Sequence, residues 1–222
     1  MIINSNYSKK SIQTRVLQTL DRGLQIDLSK EHCERFLKRH LNHSIKVVIL
    51  YIDINDSTKI SLSLPSIKFA AMIQVFSLEM SFITQGYGGY ILKYIGDGLL
   101  AVFPAEYNCQ IACKNAMNCA LTMLNIIRNC INPMFKLRNL PEITARVGLV
   151  YGSAFVVIFG KSLQTAHFDM VGATINIAAK LTHIAKPNHI LMSDSVYNTF
   201  PTEYVIENKV SHFGKYNNKR TL

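Results

Sequence analysis

No two of the five cysteines in this 222-residue chain are spaced as C-x-x-C, and their odd number leaves any disulfide set incomplete. Cys33, Cys109, Cys113, Cys119 and Cys130 therefore read as reduced thiols, four of them in one apolar helical segment, rather than as a zinc or cystine framework. The first twenty residues hold no apolar stretch of the signal-peptide kind. No run of about 18 apolar residues occurs, so no membrane span is expected. Internal repeats and low-complexity tracts are missing as well. What remains is a chain 49% hydrophobic and 17% charged, with enough apolar material for a core. Its length fits one domain of about 100 to 200 residues plus an extension. The expectation is a globular, soluble, cytoplasmic protein.

Acidic residues are the scarcer charge, 14 against 24 Lys and Arg, for a net +10. Such an excess invites a nucleic-acid reading, and its distribution argues against one. Residues 1–46 hold nine basic and four acidic side chains, 207–222 hold four and one, and the stretch between carries only +2. The flanking lysines are not interleaved with an aromatic platform and match no common nucleic-acid motif, so solvated helix faces are the better reading.

Between Ser8 and His43 apolar residues recur at helical spacing (Ile12, Val16, Leu20; then Cys33, Phe36, Leu37, Leu41) with a break near Gly23, which predicts two helical pieces. The run from Lys46 to Asp53 is short, β-branched and apolar, the pattern of a buried strand ending in a carboxylate. Pro65 and Ser66 open a helix with the stripe Phe69, Ile73, Phe76, Met80, Ile83. Gly86 to Phe103 predicts two strands joined by a tight Gly96-Asp97-Gly98 turn. A helix carrying Cys109, Cys113, Ala116, Ala120, Met123 and Ile127 follows. Ile143–Tyr151 and Ala154–Phe159 are expected to form a strand pair around Gly152, then a helix from Thr174 to Ala185 and a last strand at Ile190. The order predicts an α+β domain close to a βαββαβ core with additions, its helices packed on one sheet. The domain plan is an N-terminal helical extension (1–45), a core (46–206) and a basic tail (207–222).

If the first strand lies beside the hairpin, Asp53 and Asp97 project at one edge. Two carboxylates plus a phosphate suit a pair of magnesium ions, which prefer hard oxygen ligands, and this points to metal-assisted phosphoryl chemistry. Taken singly, Asp53 reads better as a helix cap after a strand and Asp97 as a turn residue.

Four stretches extend the pattern: Tyr51-Ile-Asp-Ile-Asn-Asp-Ser-Thr58, Gly88-Gly-Tyr-Ile-Leu-Lys-Tyr-Ile-Gly-Asp-Gly98, Ala145-Arg-Val-Gly-Leu-Val-Tyr-Gly152 and Phe168-Asp-Met-Val-Gly-Ala-Thr-Ile-Asn-Ile-Ala-Ala-Lys180. In order and spacing they resemble the catalytic-domain motifs of class III nucleotidyl cyclases, over roughly residues 46 to 200. The resemblance implies a ferredoxin-like, palm-type domain that forms a head-to-tail homodimer with nucleotide at the interface. It implies that Asp53, Asp97 and the backbone carbonyl of Ile54 hold two Mg2+ or Mn2+ ions per active site, one activating the ribose 3'-hydroxyl and one holding the triphosphate. In-line attack on the α-phosphorus then gives a 3',5'-cyclic nucleotide and pyrophosphate. The amides of Asn55, Asp56, Ser57 and Thr58 are candidate phosphate donors.

Lys93 and Asp169 match the base-selecting pair of members that use ATP. An ammonium donates to adenine N1 and a carboxylate accepts from the N6 amine, whereas guanine presents the opposite pattern. Asn176 matches the ribose-orienting asparagine, and Lys180 stands where the family commonly has an arginine for the α-phosphate. Lysine keeps the charge and loses the planar fork. Asn55-Asp56-Ser57 stands where the family commonly carries a glycine and an aromatic residue, with Asp56 adding negative charge near the triphosphate, and the tail does not choose among Lys209, Lys215 and Lys219 as a phosphate contact. The leading expectation is thus an adenylate cyclase. The alternatives are a weakly active or inactive nucleotide-binding regulatory module with the same fold, or a guanylate cyclase. The N-terminal helices are expected to set dimer geometry, dock a separate regulatory protein, or cap the core.

Overall fold

In the computed structural model, which describes residues 8–23, 30–160, 166–200 and 211–213, the chain begins with two helices, α1 (Lys9–Arg22) and α2 (Lys30–Arg39). Ser8 starts α1 as its cap, its hydroxyl accepting from the Ser11 amide at 3.1 Å. Then follow β1 (Ser44–Ile54), α3 (Ser57–Ser63), α4 (Ser66–Gly86) and the hairpin β2 (Tyr90–Ile95) and β3 (Gly98–Pro104). Helix α5 (Cys109–Ile126), capped by Asn108, runs through a π-helical turn (Ile127–Ile131) into α6 (Asn132–Leu137). The chain closes with β4 (Ala145–Phe159), β5 (His167–Val171), α7 (Ala173–Ile184), β6 (Ile190–Ser193), α8 (Asp194–Tyr197) and β7 (Ser211–Phe213).

The sheet order is β2-β3-β1-β4-β6-β7, with β5 on the far half of β4. The first four strands in that order are the arrangement expected of a βαββαβ palm. β1 is central, antiparallel to β3 and to β4, and its Val47, Val48, Ile49, Leu50 and Ile52 have no accessible surface. Each such side chain contributes about 1.5 to 3 kcal/mol by leaving water.

Alternation along β1 splits the core in two. Val48, Leu50 and Ile52 face α1, α4 and α5, whereas Val47 and Ile49 face α2 and α7. The two N-terminal helices thus lie on opposite faces, Ile12 and Val16 in one core, Cys33, Phe36 and Leu37 in the other. Their apolar sides pack into the core of the domain. Helix α4 is the described helix long and apolar enough to cross a membrane, yet Met72, Val75, Phe76, Met80 and Ile83 are buried in the core. Its buried Glu79 is held by Arg15 of α1 at 2.7 Å.

Three differences from the sequence reading have local causes. The strand pair expected around Gly152 is one continuous strand, β4, and its hairpin partner is β5. Gly152 does not turn the chain; a Cβ there would meet the Thr174 hydroxyl of α7 at 2.6 Å. The stripe expected on α4 is rotated: Phe69 and Ile73 are only half-buried. Finally, β7 pairs parallel with β6, so part of the segment read as a basic tail belongs to the sheet.

Candidate active site

The antiparallel register of β1 and β3 pairs Ile52 with Leu99, which puts Asp53 beside the Gly96-Asp97 turn. The Asp97 Oδ2 is buried and has no hydrogen-bond partner, although a buried carboxylate oxygen left unpaired is costly. The carboxyl pKa of the neighbouring Asp53 is raised, by burial first and by the Asp97 charge second. Arg146, its cross-strand neighbour on β4, pulls the other way by donating from Nη2 to Asp53 Oδ2 at 3.1 Å. Arg146 Nη1 donates to the His183 carbonyl at 3.1 Å, and its Nε is buried without a partner. An orphaned anionic acceptor and an orphaned cationic donor thus share one site. A divalent cation would satisfy the first and a phosphate oxygen the second. The donors at Asp53 and Asp97 are all oxygen, which fits a hard cation of the Mg2+ or Mn2+ kind.

Tyr51 completes this end. Its phenol pKa is raised by burial, then by Asp53 and Asp97, and a Cβ on Gly98 would come within 2.8 Å of its hydroxyl. Gly98 is therefore required for the ring to sit against the hairpin. Ile54, paired with Ala145, ends the strand with its side chain buried.

At the other end, Lys93 Nζ donates to Asp169 Oδ2 at 2.5 Å, with side chains 32% and 13% exposed. A bulge between Ile91 and Lys93 aims the lysine. Strict alternation would turn Tyr90 and Lys93 to opposite faces, but Tyr90 pairs with Val102 and Lys93 with Leu100, two positions that share a face. The Asp169 carboxylate is fixed further by its Oδ1, which accepts from the Met170 amide at 2.8 Å.

Helix α7 supplies the third group. Thr174, Ala178, Leu181 and Thr182 are buried, while Asn176 and Lys180 share the exposed side. Ile177 and Ile184 of the same helix are exposed as well. The helix sits close because Gly148 and Gly152 of β4 leave room for it, and the Thr182 hydroxyl donates to the Tyr51 carbonyl at 3.1 Å.

The expected phosphate loop is only partly free. The Asn55 amide donates to the Thr144 carbonyl at 2.8 Å, so Asn55 offers no backbone donor. Asp56 has φ of 55° and precedes the first turn of α3, where the amides of Ser57 and Thr58 have no intrahelical partner by construction. The Asp56 carboxylate is 3.3 Å from Lys59, which offsets part of its charge. Lys209, Lys215 and Lys219 lie outside the described residues.

Sequence reasoning passed over Arg146 and Tyr51. Both stand inside motifs it quoted, and strand alternation from Asp53 selects Tyr51. Arg146 emerges only when β1 and β4 are put in register.

The palm sheet thus carries two carboxylates at a strand–hairpin junction and a Lys–Asp pair that joins β2 to β5. Residues 40–218 match the family model of the adenylate and guanylate cyclase catalytic domain, and the chain belongs to that family, the class III cyclases. It is similar to the soluble guanylate cyclase gcy-31 of Caenorhabditis elegans, 26% identical over 75% of this chain and 22% of that one. It is equally similar to a cytidylate cyclase of Escherichia coli, 26% identical over 71% of this chain and 36% of that one. Among solved structures it resembles the adenylyl cyclase CyaB from P. aeruginosa, with a TM-score of 0.66 at 21% identity, covering 71% of this chain and 81% of the other. The chain spans about a fifth to a third of the length of these curated relatives.

Proposed function

We propose that the chain is an adenylate cyclase that works as a homodimer, converting ATP to 3',5'-cyclic AMP and pyrophosphate with Mg2+ or Mn2+. The observation that carries this reading is the Lys93–Asp169 contact at 2.5 Å. A lysine donor beside a carboxylate acceptor reads the adenine edge, ring N1 and exocyclic amine, and is mismatched to guanine. Asp53 and Asp97 would hold the metal ions, whose charge would favour ionisation of the ribose 3'-hydroxyl and departure of pyrophosphate. The 3'-oxygen bonds to the α-phosphorus, the α–β bridging bond breaks, and the hydroxyl proton passes to water. Arg146, released from Asp53, is placed to meet a phosphate oxygen with its unpartnered Nε. Asn176 and Lys180 of the partner copy orient the ribose and meet the α-phosphate.

The dimer reading rests on an exposed apolar face. Phe155, Phe159 and Val171 lie on the β4–β5 arm on the same side as Asp169, with Ile177 exposed on α7. A second copy covering this face would close the site around the base.

CTP is the second reading. Cytosine presents the same edge, ring N3 beside an amine, so the Lys–Asp pair does not separate it from adenine. One relative is named a cytidylate cyclase. Lys180 in place of arginine favours slow turnover in either case, up to a weakly active regulatory module. A product assay with ATP, CTP and GTP under Mg2+ and Mn2+ tests the proposal. Cyclic AMP from ATP is expected to dominate; dominant cyclic CMP would move the assignment to the second reading. No cyclic product from a folded dimer would sink the enzyme assignment.

A further inference from the structure

The base-reading pair has a structural peculiarity. In the sheet order, β3, β1 and β4 separate β2, which carries Lys93, from β5, which carries Asp169. Three intervening strands at about 4.8 Å spacing would keep the two groups well over 10 Å apart in a flat sheet. They meet at 2.5 Å, so the sheet curls until β2 and β5 face each other. Helix α2 fills the concave side of that curl. Its Phe36 ring stacks on Tyr90 of β2, with centroids 4.8 Å apart and planes 14° from parallel. On the other side Lys38 Nζ lies over the Phe168 ring of β5 at 5.2 Å. Cys33 is buried one turn earlier, and burial first, then the charges of Glu34 and Asp169, pushes its thiol up to about 12.

Each contact lands next to one member of the pair. Tyr90 shares a strand face with Lys93 across the bulge, and Phe168 precedes Asp169. The bulge interrupts the regular ladder between Ile91 and Lys93, so the strand's own hydrogen bonds hold the lysine less firmly there. His40 ties the far end of the helix. Its Nδ1 bonds the Phe36 carbonyl at 2.8 Å, and its Nε2 lies 3.3 Å from Glu106 in the loop after β3. The helix therefore has anchors on three elements of the curl.

We propose that α2 is the spacer that sets the geometry of the base-reading pair, and that Phe36, stacked on Tyr90, is a positioning residue for nucleotide selectivity. The inference rests on Lys93 and Asp169 reading the base, as in the function proposed above. Removing the ring lets β2 shift relative to β5 and loosens the Lys93–Asp169 register, while the carboxylates at the metal end and the groups on α7 stay where they are. Selectivity should fall before turnover does.

The test uses the full chain with Phe36→Ala, Phe36→Leu and Phe36→Tyr, each checked for folding by circular dichroism and for dimer mass. Steady-state rates with ATP, CTP and GTP are measured beside equilibrium binding of the three fluorescent mant-nucleotides. Loss of a well-placed polar contact to the base predicts about a tenfold fall in the preference of Phe36→Ala for ATP over GTP, through KM, with kcat within about threefold. Phe36→Tyr keeps the stacked ring and should restore the preference. If Phe36→Ala does not fold, Phe36→Leu carries the same prediction. A lower melting temperature with an unchanged preference overturns the proposal, as does an equal loss for all three nucleotides. Absence of product in the wild type would defeat the cyclase reading alone, because selective mant-nucleotide binding and its loss in the variants would still support the spacer. Wild-type protein that binds the three mant-nucleotides equally overturns the spacer whatever its activity.

Discussion

Lys93 and Asp169 stand 76 positions apart in sequence, and their charged groups meet at 2.5 Å across the curled sheet. If this pair reads the base, reversing the charge at one member should be specific in its damage. Lys93→Glu removes the donor to the ring nitrogen and sets two carboxylates together. A charge-assisted hydrogen bond of about 1.5 to 3 kcal/mol corresponds to roughly a 10- to 100-fold loss in kcat/KM for ATP. The preference for ATP over GTP should shrink accordingly. An unchanged preference in competition assays would refute the role given to Lys93.

The metal end predicts an unusual pair of outcomes for Asp97→Asn. Turnover should disappear, and Mn2+ binding measured by calorimetry without nucleotide should weaken at least tenfold. Without metal, the same change removes a charge that repels Asp53 from a carboxylate whose Oδ2 is buried without a partner, so the folded state should gain on the order of 1 kcal/mol. Urea denaturation in chelator reads that gain. Loss of stability in metal-free buffer would argue that Asp97 is a turn residue and nothing more.

Much of this was legible from residues alone, and what was not has definite causes. Asp53 and Asp97 could be placed together because a strand end and a Gly-Asp-Gly turn are local signals, and β1 does pair with β3. Gly152 misled because a missing Cβ looks the same whether the chain turns or another backbone approaches; here Thr174 fills the space. The face of Lys93 depends on a bulge, and no alternation pattern reveals one. Arg146 and Phe36 act across strand register and sheet curvature, which a linear reading does not contain. The roles of Lys93, Asp169, Asn176 and Lys180 came from resemblance to a family, and the structure adds which of them touch.

Lys180 is exposed on α7 beside Asn176; in the proposed dimer its charge would meet a phosphate of the nucleotide held by the second copy. Lys180→Ala should lower kcat by about 100-fold with KM little changed, the mark of a contact made in the transition state. Lys180→Arg should raise kcat, because the planar fork donates twice where an ammonium donates as a point. A kcat for Lys180→Arg at or below the wild type would show that the lysine is not what limits turnover.

Stability on the opposite face should follow Arg15 and Glu79. Glu79 is 1% exposed, and burial raises its carboxyl pKa while the Arg15 guanidinium, bound at 2.7 and 3.0 Å, opposes the rise. Arg15→Ala leaves that carboxylate buried and uncompensated, at a cost of about 3 kcal/mol near neutral pH. The sign of the pH dependence follows from the raised value: the folded chain holds the Glu79 proton more tightly than the unfolded chain does. Its contribution is therefore greatest below the ordinary value of 4.5 and is lost as pH rises through the folded-state value. Arg15→Ala should regain much of its lost stability as pH falls from neutral toward that ordinary value, more than the wild type gains over the same range. Parallel pH profiles for the two proteins would contradict this assignment.

Gly148 offers a test that links packing to the site. It lies on β4 where α7 comes closest, and an added Cβ would press on the Thr182 hydroxyl and meet the Ala178 carbonyl at 2.5 Å. The carbonyl is helix backbone and cannot step aside, so Gly148→Ala must lift α7 off the sheet, at about 1 to 3 kcal/mol for an overpacked core. The same displacement breaks the hydrogen bond from Thr182 to the Tyr51 carbonyl and shifts the Arg146 contact with the His183 carbonyl. Asn176 and Lys180 ride on the same helix. Gly148→Ala should therefore lose kcat by about tenfold or more even where the protein is fully folded, because misplacement by about 1 Å is enough to cost that much. Double substitution with Thr182→Ala relieves the side-chain half of the clash and should recover part of the stability but not all of it. A fully folded Gly148→Ala protein with wild-type kcat would mean that the seat of α7 has no bearing on catalysis.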